Sequence, residues 1–205
     1  VTAIRRNGVF TVECGGERFS APVVVNAAGA WAGEVGERAG ALPLPLQPLR
    51  RTAFIIDGPP GMHMNAWPMV IDVEEKLYFK PDAGRLLVSP ADETPSWPCG
   101  AWADDLDVAM AVERLETLTT LRVERIASSW AGLRTFAPDR VPVAGFDPTL
   151  AGFFWLAGQG GYGVQTAPAL ARTAAALAAG ESLPDEVAAE GVTAAMLSPA
   201  RFASA

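Results

Sequence analysis

The sequence predicts an α/β (α+β) chain with mixed sheets, and three observations predict it. Apolar runs of strand length, such as Phe153-Phe-Trp-Leu-Ala157, alternate with segments whose apolar residues recur at helical spacing. The middle of the chain is rich in hairpin signals, with Pro81-Asp-Ala-Gly84 turning between two strand-like runs. Towards the end, Gly158-Gln159-Gly160-Gly161-Tyr162-Gly163-Val164-Gln165 joins the run at 153–157 to a helix-like segment.

Taken in order, Val1-Thr-Ala-Ile4 enters a strand pattern at once, with no turn or initiator methionine before it, as if more chain preceded it. Phe10–Cys14 and Val23–Asn26 read as strands joined through Gly15-Gly16. Asn26 to Trp31 leads into a helix ending near Gly40, and the proline-rich Leu42–Pro48 reads as a linker. Strands follow at Arg51–Ile56, Leu77–Phe79 and Arg85–Ser89. A helix from Leu106 to about Leu121 carries Leu106, Met110, Leu115 and Leu118 at helical spacing, with Asp104-Asp105 as its cap. Ile126–Trp130 resumes as strand before Gly132-Leu-Arg134. The last helix spans Thr166–Ala179, and the tail after Gly180 holds no strand of convincing length.

With 205 residues the chain makes one large domain or two small ones; 50% hydrophobic and 19% charged residues mark it as globular. A net charge of −7 without any Lys/Arg-rich run argues against nucleic acid and anionic membranes as partners. Cys14 and Cys99 form no C-x-x-C or Cys/His cluster, and His63 is the single histidine, so no metal site is expected. A reducing, cytoplasmic setting fits these cysteines. His63 lies in a loop-like stretch and reads as a surface residue, and Asp104-Asp105-Asp107 as a helix start.

Gly158, Gly160 and Gly163 match G-x-G-x-x-G, which between strand and helix reads as a dinucleotide-binding turn. Glycines let backbone approach a cofactor, and free amides at a helix start favour negative charge. A Rossmann fingerprint should be followed by a second strand, and none follows here. The loop therefore points to a cofactor contact of another kind.

Four blocks in order, VVVNAAGAWAGEV, LYFKPDAGRLLVSP, WAGLRTFAPDRVPVAG and FFWLAGQGGYGVQTAP, resemble the second half of flavin-dependent amine oxidoreductases of the D-amino-acid oxidase (DAO) family. LQPLRRTAFI, Trp67-Pro-Met69 and AMLSP are similar to its D-arginine dehydrogenase branch. The resemblance implies a Rossmann-like FAD-binding domain, here residues 1–45 and 131–205, interleaved with an antiparallel-sheet substrate domain at 46–130. It implies FAD as cofactor and oxidation of D-amino acids, D-arginine-like basic ones included, to imino acids by hydride transfer to the flavin. Glycine- or sarcosine-type oxidation is the alternative, as is a non-catalytic fragment unable to hold FAD alone. The ADP-gripping G-x-G-x-x-G unit that opens the family is expected upstream, which makes an N-terminal half of the same polypeptide the first partner. A small-molecule amino acid is the second, and a quinone-linked electron acceptor a third.

By resemblance, Gly158, Gln159, Gly160, Gly161, Tyr162, Gly163, Val164 and Gln165 form the late flavin loop facing the isoalloxazine, with Gly161 also beside the substrate. Ala28, Gly29 and Trp31 match the A-G-A-W segment beside the cofactor, whose other reading is a plain strand-to-helix turn. Arg134 matches the arginine that grips the substrate carboxylate, a task suited to a bidentate guanidinium. Tyr78 matches a tyrosine meeting the same carboxylate, although a strand tyrosine on pattern alone is core. Arg51 matches a second carboxylate-binding arginine; its neighbour Arg50 competes, since alternation puts one on each face. Met69 and Ile71 match pocket walls and read equally as core. No catalytic acid or base is assigned. The sequence departs from the common family pattern at Thr135, Arg140 and Ser89, which bears on substrate identity.

Overall fold

A computed structural model describes residues 1–203. In chain order its elements are β1 (Ala3–Asn7), β2 (Val9–Cys14), β3 (Glu17–Ala21), β4 (Val24–Asn26), α1 (Ala32–Ala39), β5 (Gln47–Ile56), β6 (Val70–Ile71), β7 (Tyr78–Asp82), β8 (Arg85–Ser89) and β9 (Thr94–Pro95). They continue with α2 (Asp105–Leu118), β10 (Ile126–Phe136), β11 (Val143–Phe146), β12 (Phe153–Ala157), α3 (Gly163–Ala178), α4 (Asp185–Ala188) and α5 (Ala194–Leu197). The chain divides into two compact units: Val1–Pro48 with Arg134–Ala205, and Leu49–Leu133.

The first unit holds two three-stranded sheets, β1-β2-β3 and β11-β12-β4. β12 runs antiparallel to β11 and parallel to β4, with Phe153 opposite Val24 and Trp155 opposite Asn26. Fully apolar strands at the centre of a sheet bury both faces, and Phe153, Phe154, Trp155 and Ala157 are all sealed from solvent. Trp155 meets Phe153 edge to face at 5.3 Å. Its ring also lies where a Cβ on Gly36 would stand, so glycine lets α1 close onto the sheet. α1 ends as expected at Gly40, whose φ of 72° is the left-handed cap that glycine takes without penalty.

The second unit is built on a sheet ordered β10-β5-β8-β7-β6, with β9 added to β5. The β7–β8 hairpin turns on Ala83 and Gly84 alone, both left-handed at φ 47° and 81°. Cross-strand partners share a face, so Phe54, Val88 and Phe79 form one face with Ile56 and Leu86. That face packs on Val108, Ala111 and Leu115 of α2. Its opposite carries Arg51, Ala53, Ser89, Tyr78 and Ile71.

Several sequence expectations need correction. The Gly15-Gly16 turn leads back into β3, paired with β2, and not into β4. Every residue of β3 is exposed, which removed the alternation that would have announced a strand. On α2, Leu106 and Leu118 are 67% and 58% exposed while the smaller Val108 and Ala111 are buried, so only Leu115 of the expected stripe faces the core. Arg134 lies inside β10, which extends past Gly132 to Phe136.

Candidate functional site

In the first unit, two loops leave the carboxyl ends of neighbouring parallel strands. β4 ends at Asn26 and runs into Ala28, Gly29 and Trp31; β12 ends at Ala157 and runs into Gly158–Gln165. Crevices outside such strand ends are where open α/β sheets take ligands. The first loop is braced from below: the buried Asn26 amide donates to the Ala32 carbonyl at 2.8 Å, and its oxygen accepts from the Ala28 amide at 3.3 Å. Gly29 takes φ 58°, and no atom lies within 4 Å of where its Cβ would be. Trp31 is 45% exposed beside it.

The second loop is shaped by what it packs against. Gly158 and Gly160 are left-handed at φ 72° and 55°, and the Gly160 amide donates to the Thr135 carbonyl at 2.9 Å. A side chain on Gly160 would overlap the buried ring of Phe136. On Gly161, a Cβ would stand 2.5 Å from Nη1 of Arg134. Arg134 therefore lies directly against the glycine loop. Its guanidinium also lies 5.6 Å from the Phe136 ring centre, and Arg140, in the left-handed region at φ 60°, covers the same ring at 4.1 Å. The loop then opens α3, whose N-terminus has no capping side chain and no acidic residue in its first turn. Such a terminus presents amides and the positive end of the helix dipole to a ligand. Tyr162 and Val164 are 47% and 94% exposed, while Gln159 and Gly163 are half-buried.

In the second unit, Arg51 and Tyr78 meet on the face opposite α2, with the guanidinium carbon 6.0 Å from the ring centre. Ile71 sits directly across from Tyr78 on β6, and Met69 precedes that strand; both are about half exposed, at 54% and 48%, and neither is core. Alternation separates the two arginines as expected. Arg50 turns to the α2 side and pairs with Asp107 at 2.5 Å, Asp92 at 3.5 Å and Asp104 at 3.7 Å. Arg51 donates to the Asp92 carbonyl at 2.8 Å and to the Glu93 carboxylate at 3.2 Å. Glu93 is the partner of a candidate site residue that sequence reasoning missed, because nothing local marks a pairing across 42 positions.

Two clefts of about 520 and 660 Å³ in the same unit lie elsewhere, by Asp57 and Arg125 and by Glu113 and Arg114. Neither is lined by Arg51 or Tyr78. His63 is exposed in its loop. Asp104 caps α2 by accepting from the Leu106 amide at 2.9 Å. No helix is long and apolar enough to cross a membrane, and no metal-ligating cluster occurs, among the described residues.

Comparison with known proteins gives one family. The model of the DAO family, FAD dependent oxidoreductase, matches residues 1–177. "FAD-dependent oxidoreductase domain-containing protein 1" of Bos taurus is 30% identical over 176 residues, covering 75% of this chain and 35% of that protein. Glycine oxidase of Geobacillus kaustophilus is 27% identical over 158 residues, covering 75% of this chain and 39% of the enzyme. The chain thus spans well under half the length of these curated relatives. Among solved structures, iminodiacetate oxidase from Chelativorans superposes with a TM-score of 0.78 at 20% identity, covering 96% of this chain and 52% of that one. The mixed α/β architecture is the fold of that neighbour.

Proposed function

The chain belongs to the FAD dependent oxidoreductase (DAO) family, and we propose that its parent protein oxidises α-amino acids, D-amino acids with basic ones included, to imino acids. The observation that carries this reading is Arg134 packed against Gly161 of the glycine loop. A fixed cation at the loop that would meet the cofactor is what an amino-acid carboxylate needs for orientation.

The residues present fit one end of FAD. Gly29 leaves open space where a side chain would stand, and the uncapped terminus of α3 follows a loop of glycines. Ala28, Gly29, Trp31 and Gly158–Gln165 would hold it. When bound, FAD supplies the acceptor for the hydrogen and two electrons that leave the substrate's Cα. Arg134 grips the carboxylate and so fixes which Cα–H bond is presented. Within the second unit, Tyr78 and Arg51 offer a hydroxyl and a guanidinium suited to a carboxylate. Ile71 and Met69 offer apolar surface to the substrate side chain. A substrate amine that arrives neutral needs no protein base. Water then adds to the imino acid and ammonia leaves.

The basic preference rests on the likeness of LQPLRRTAFI and Trp67-Pro-Met69 to the D-arginine dehydrogenase branch. Oxidation of glycine or its N-methyl derivative is the second reading, favoured by the likeness to a glycine oxidase. Anaerobic bleaching of the flavin in the full-length protein by D-arginine, D-alanine, glycine and sarcosine separates the two. Preference for glycine or sarcosine over both D-amino acids would remove the first. Arg134→Ala should raise KM for the preferred substrate about 100-fold or more, since a desolvated carboxylate loses its charged partner. An unchanged KM defeats the clamp. We also propose a reducing, cytoplasmic setting, which two free thiols at Cys14 and Cys99 would suit.

A further inference from the structure

The reading of Arg51 as a carboxylate-binding residue raises a question of charge, because its guanidinium already faces a carboxylate of the same chain. We propose that Glu93 is a positioning residue that holds Arg51 in its substrate-ready pose and sets how strongly that arginine attracts a substrate carboxylate. This role rests on Arg51 taking part in carboxylate binding.

Glu93 is brought there by a strap that the chain builds with unusual care. Ser89 is fully buried; its hydroxyl donates to the Thr52 carbonyl at 2.6 Å and accepts from the Ala91 amide at 3.1 Å. Ala91 takes φ 54°, a left-handed conformation that a non-glycine residue adopts only when its surroundings enforce it. Asp92 follows, its side chain 7% exposed, and accepts from the Thr52 amide at 2.6 Å and the Thr52 hydroxyl at 3.0 Å. These bonds fix residues 89–92 along β5. The Asp92 carbonyl then takes Nε of Arg51 at 2.8 Å, and Glu93 takes Nη2 at 3.2 Å. The Nε–Nη2 edge of the guanidinium is thus held by one segment, and the plane is set.

Position alone would need no charge: the Asp92 carbonyl and a neutral acceptor would serve. A carboxylate adds a competing negative charge beside the cation that is to bind an anion. Side chains of Arg51 and Glu93 are 15% and 32% exposed, so water screens this pairing only in part. The consequence is selective. Ground-state attraction for a carboxylate is weakened, whereas a substrate whose carboxylate is replaced by a neutral amide gains nothing from losing the glutamate.

Glu93→Gln keeps an acceptor of the same shape and removes the charge. In full-length, FAD-loaded protein, KM for the preferred amino acid should fall about fivefold, as one part-screened charge implies. KM for its carboxamide and kcat for both should stay as in the parent. The dissociation constant of acetate, read from the flavin absorption spectrum, should fall by a similar factor and gives the same answer without turnover. Glu93→Ala also loses the acceptor, so its KM for the amino acid should lie above that of Glu93→Gln. Arg51→Ala serves as the reference. If it leaves KM for the amino acid unchanged, the carboxylate role of Arg51 is gone and that of Glu93 with it. If it raises KM while Glu93→Gln leaves the ratio of amino acid to carboxamide KM untouched, the tuning role of Glu93 alone is overturned.

Discussion

In the first unit the buried Asp147 is satisfied by neutral donors, whereas in the second Asp92 belongs to a lattice of opposite charges. Asp147 accepts from the Leu42 amide and the Trp155 indole through one oxygen, and from the Thr149 amide, the Thr149 hydroxyl and the Leu150 amide through the other, all at 2.7–2.8 Å. Asp92 accepts from Thr52 and lies 3.5 Å from Arg50, which reaches on to Asp104 and Asp107. Neutral donors on a fixed backbone have one good arrangement. Arginines among several carboxylates can exchange partners at little cost. The first unit presents its ligand surface as shape, in glycines that exclude side chains; the second presents charge. Each kind of surface fails in its own way.

The shape side breaks most severely at Gly160. Gly160→Ala puts a methyl group into the Phe136 ring at a left-handed φ of 55°, and the ring is buried. Conformational penalty and overpacking together should destabilise by roughly 2–4 kcal/mol. Thermal unfolding should shift down accordingly, and FAD retention through gel filtration should be lost. Full retention at an unchanged melting temperature would show that the loop is not shaped from behind.

On the charged side, Asp92→Ala strips the buried Thr52 amide and hydroxyl of their shared acceptor and leaves Arg50 with Asp107 at 2.5 Å and Asp104 at 3.7 Å. The expected destabilisation is about 2–3 kcal/mol, from an unsatisfied amide and a broken part-buried pair. KM for a carboxylate substrate should change too, because the strap presents Glu93. Denaturant titration alongside kinetics separates the two effects; a stability loss with no change in KM would confine Asp92 to architecture.

How much of this was legible beforehand depends on whether a feature is local. β12 is a run of five residues, Phe153–Ala157, that announces itself by apolarity and ends on the glycine that starts the loop. Gly40 marks the end of α1 because only the local backbone decides it. The two loops could be found from their glycines and placed by strand direction. The buried face of α2 was not legible, since bulk pointed to Leu106 and Leu118 while the sheet admitted Val108 and Ala111. Glu93 was invisible for the same reason: its meaning is made by Thr52 and Arg51, far away in sequence.

Acid tests the neutral hub. Burial opposes ionisation of Asp147, but the bonds from Trp155, Thr149 and Leu42 outweigh it and hold its carboxyl below the ordinary 3.8. A lowered folded-state value means that its stabilisation is complete above the unfolded value and is lost as pH falls through the folded one. Stability measured by urea titration should therefore drop below about pH 4, where unfolded carboxylates begin to take up protons first. Asp139 contributes in the same direction, through its hydrogen bond to Arg201. Asp147→Asn should be less stable at neutral pH by about 2 kcal/mol, since its amide must face donors. Its loss between pH 5 and pH 3 should also be shallower than in the parent. Parallel pH profiles for the two would mean that the hub does not govern acid sensitivity.

The smallest effect on stability is expected one residue along from the largest. Gly161 is not left-handed, and the atom nearest its missing Cβ is Nη1 of Arg134, the far end of a flexible side chain. Gly161→Ala should cost under about 1 kcal/mol, because a guanidinium can swing where a buried ring cannot. The displaced guanidinium is the proposed carboxylate clamp, however, and a shift of a fraction of its reach spoils a bidentate pose. KM for the amino acid should rise roughly tenfold with the melting temperature nearly unchanged. Gly160→Ala and Gly161→Ala would then divide a single loop into a half that fails as shape and a half that fails through charge. If Gly161→Ala instead melts early with KM preserved, Arg134 is held there by packing, and shape governs the whole loop.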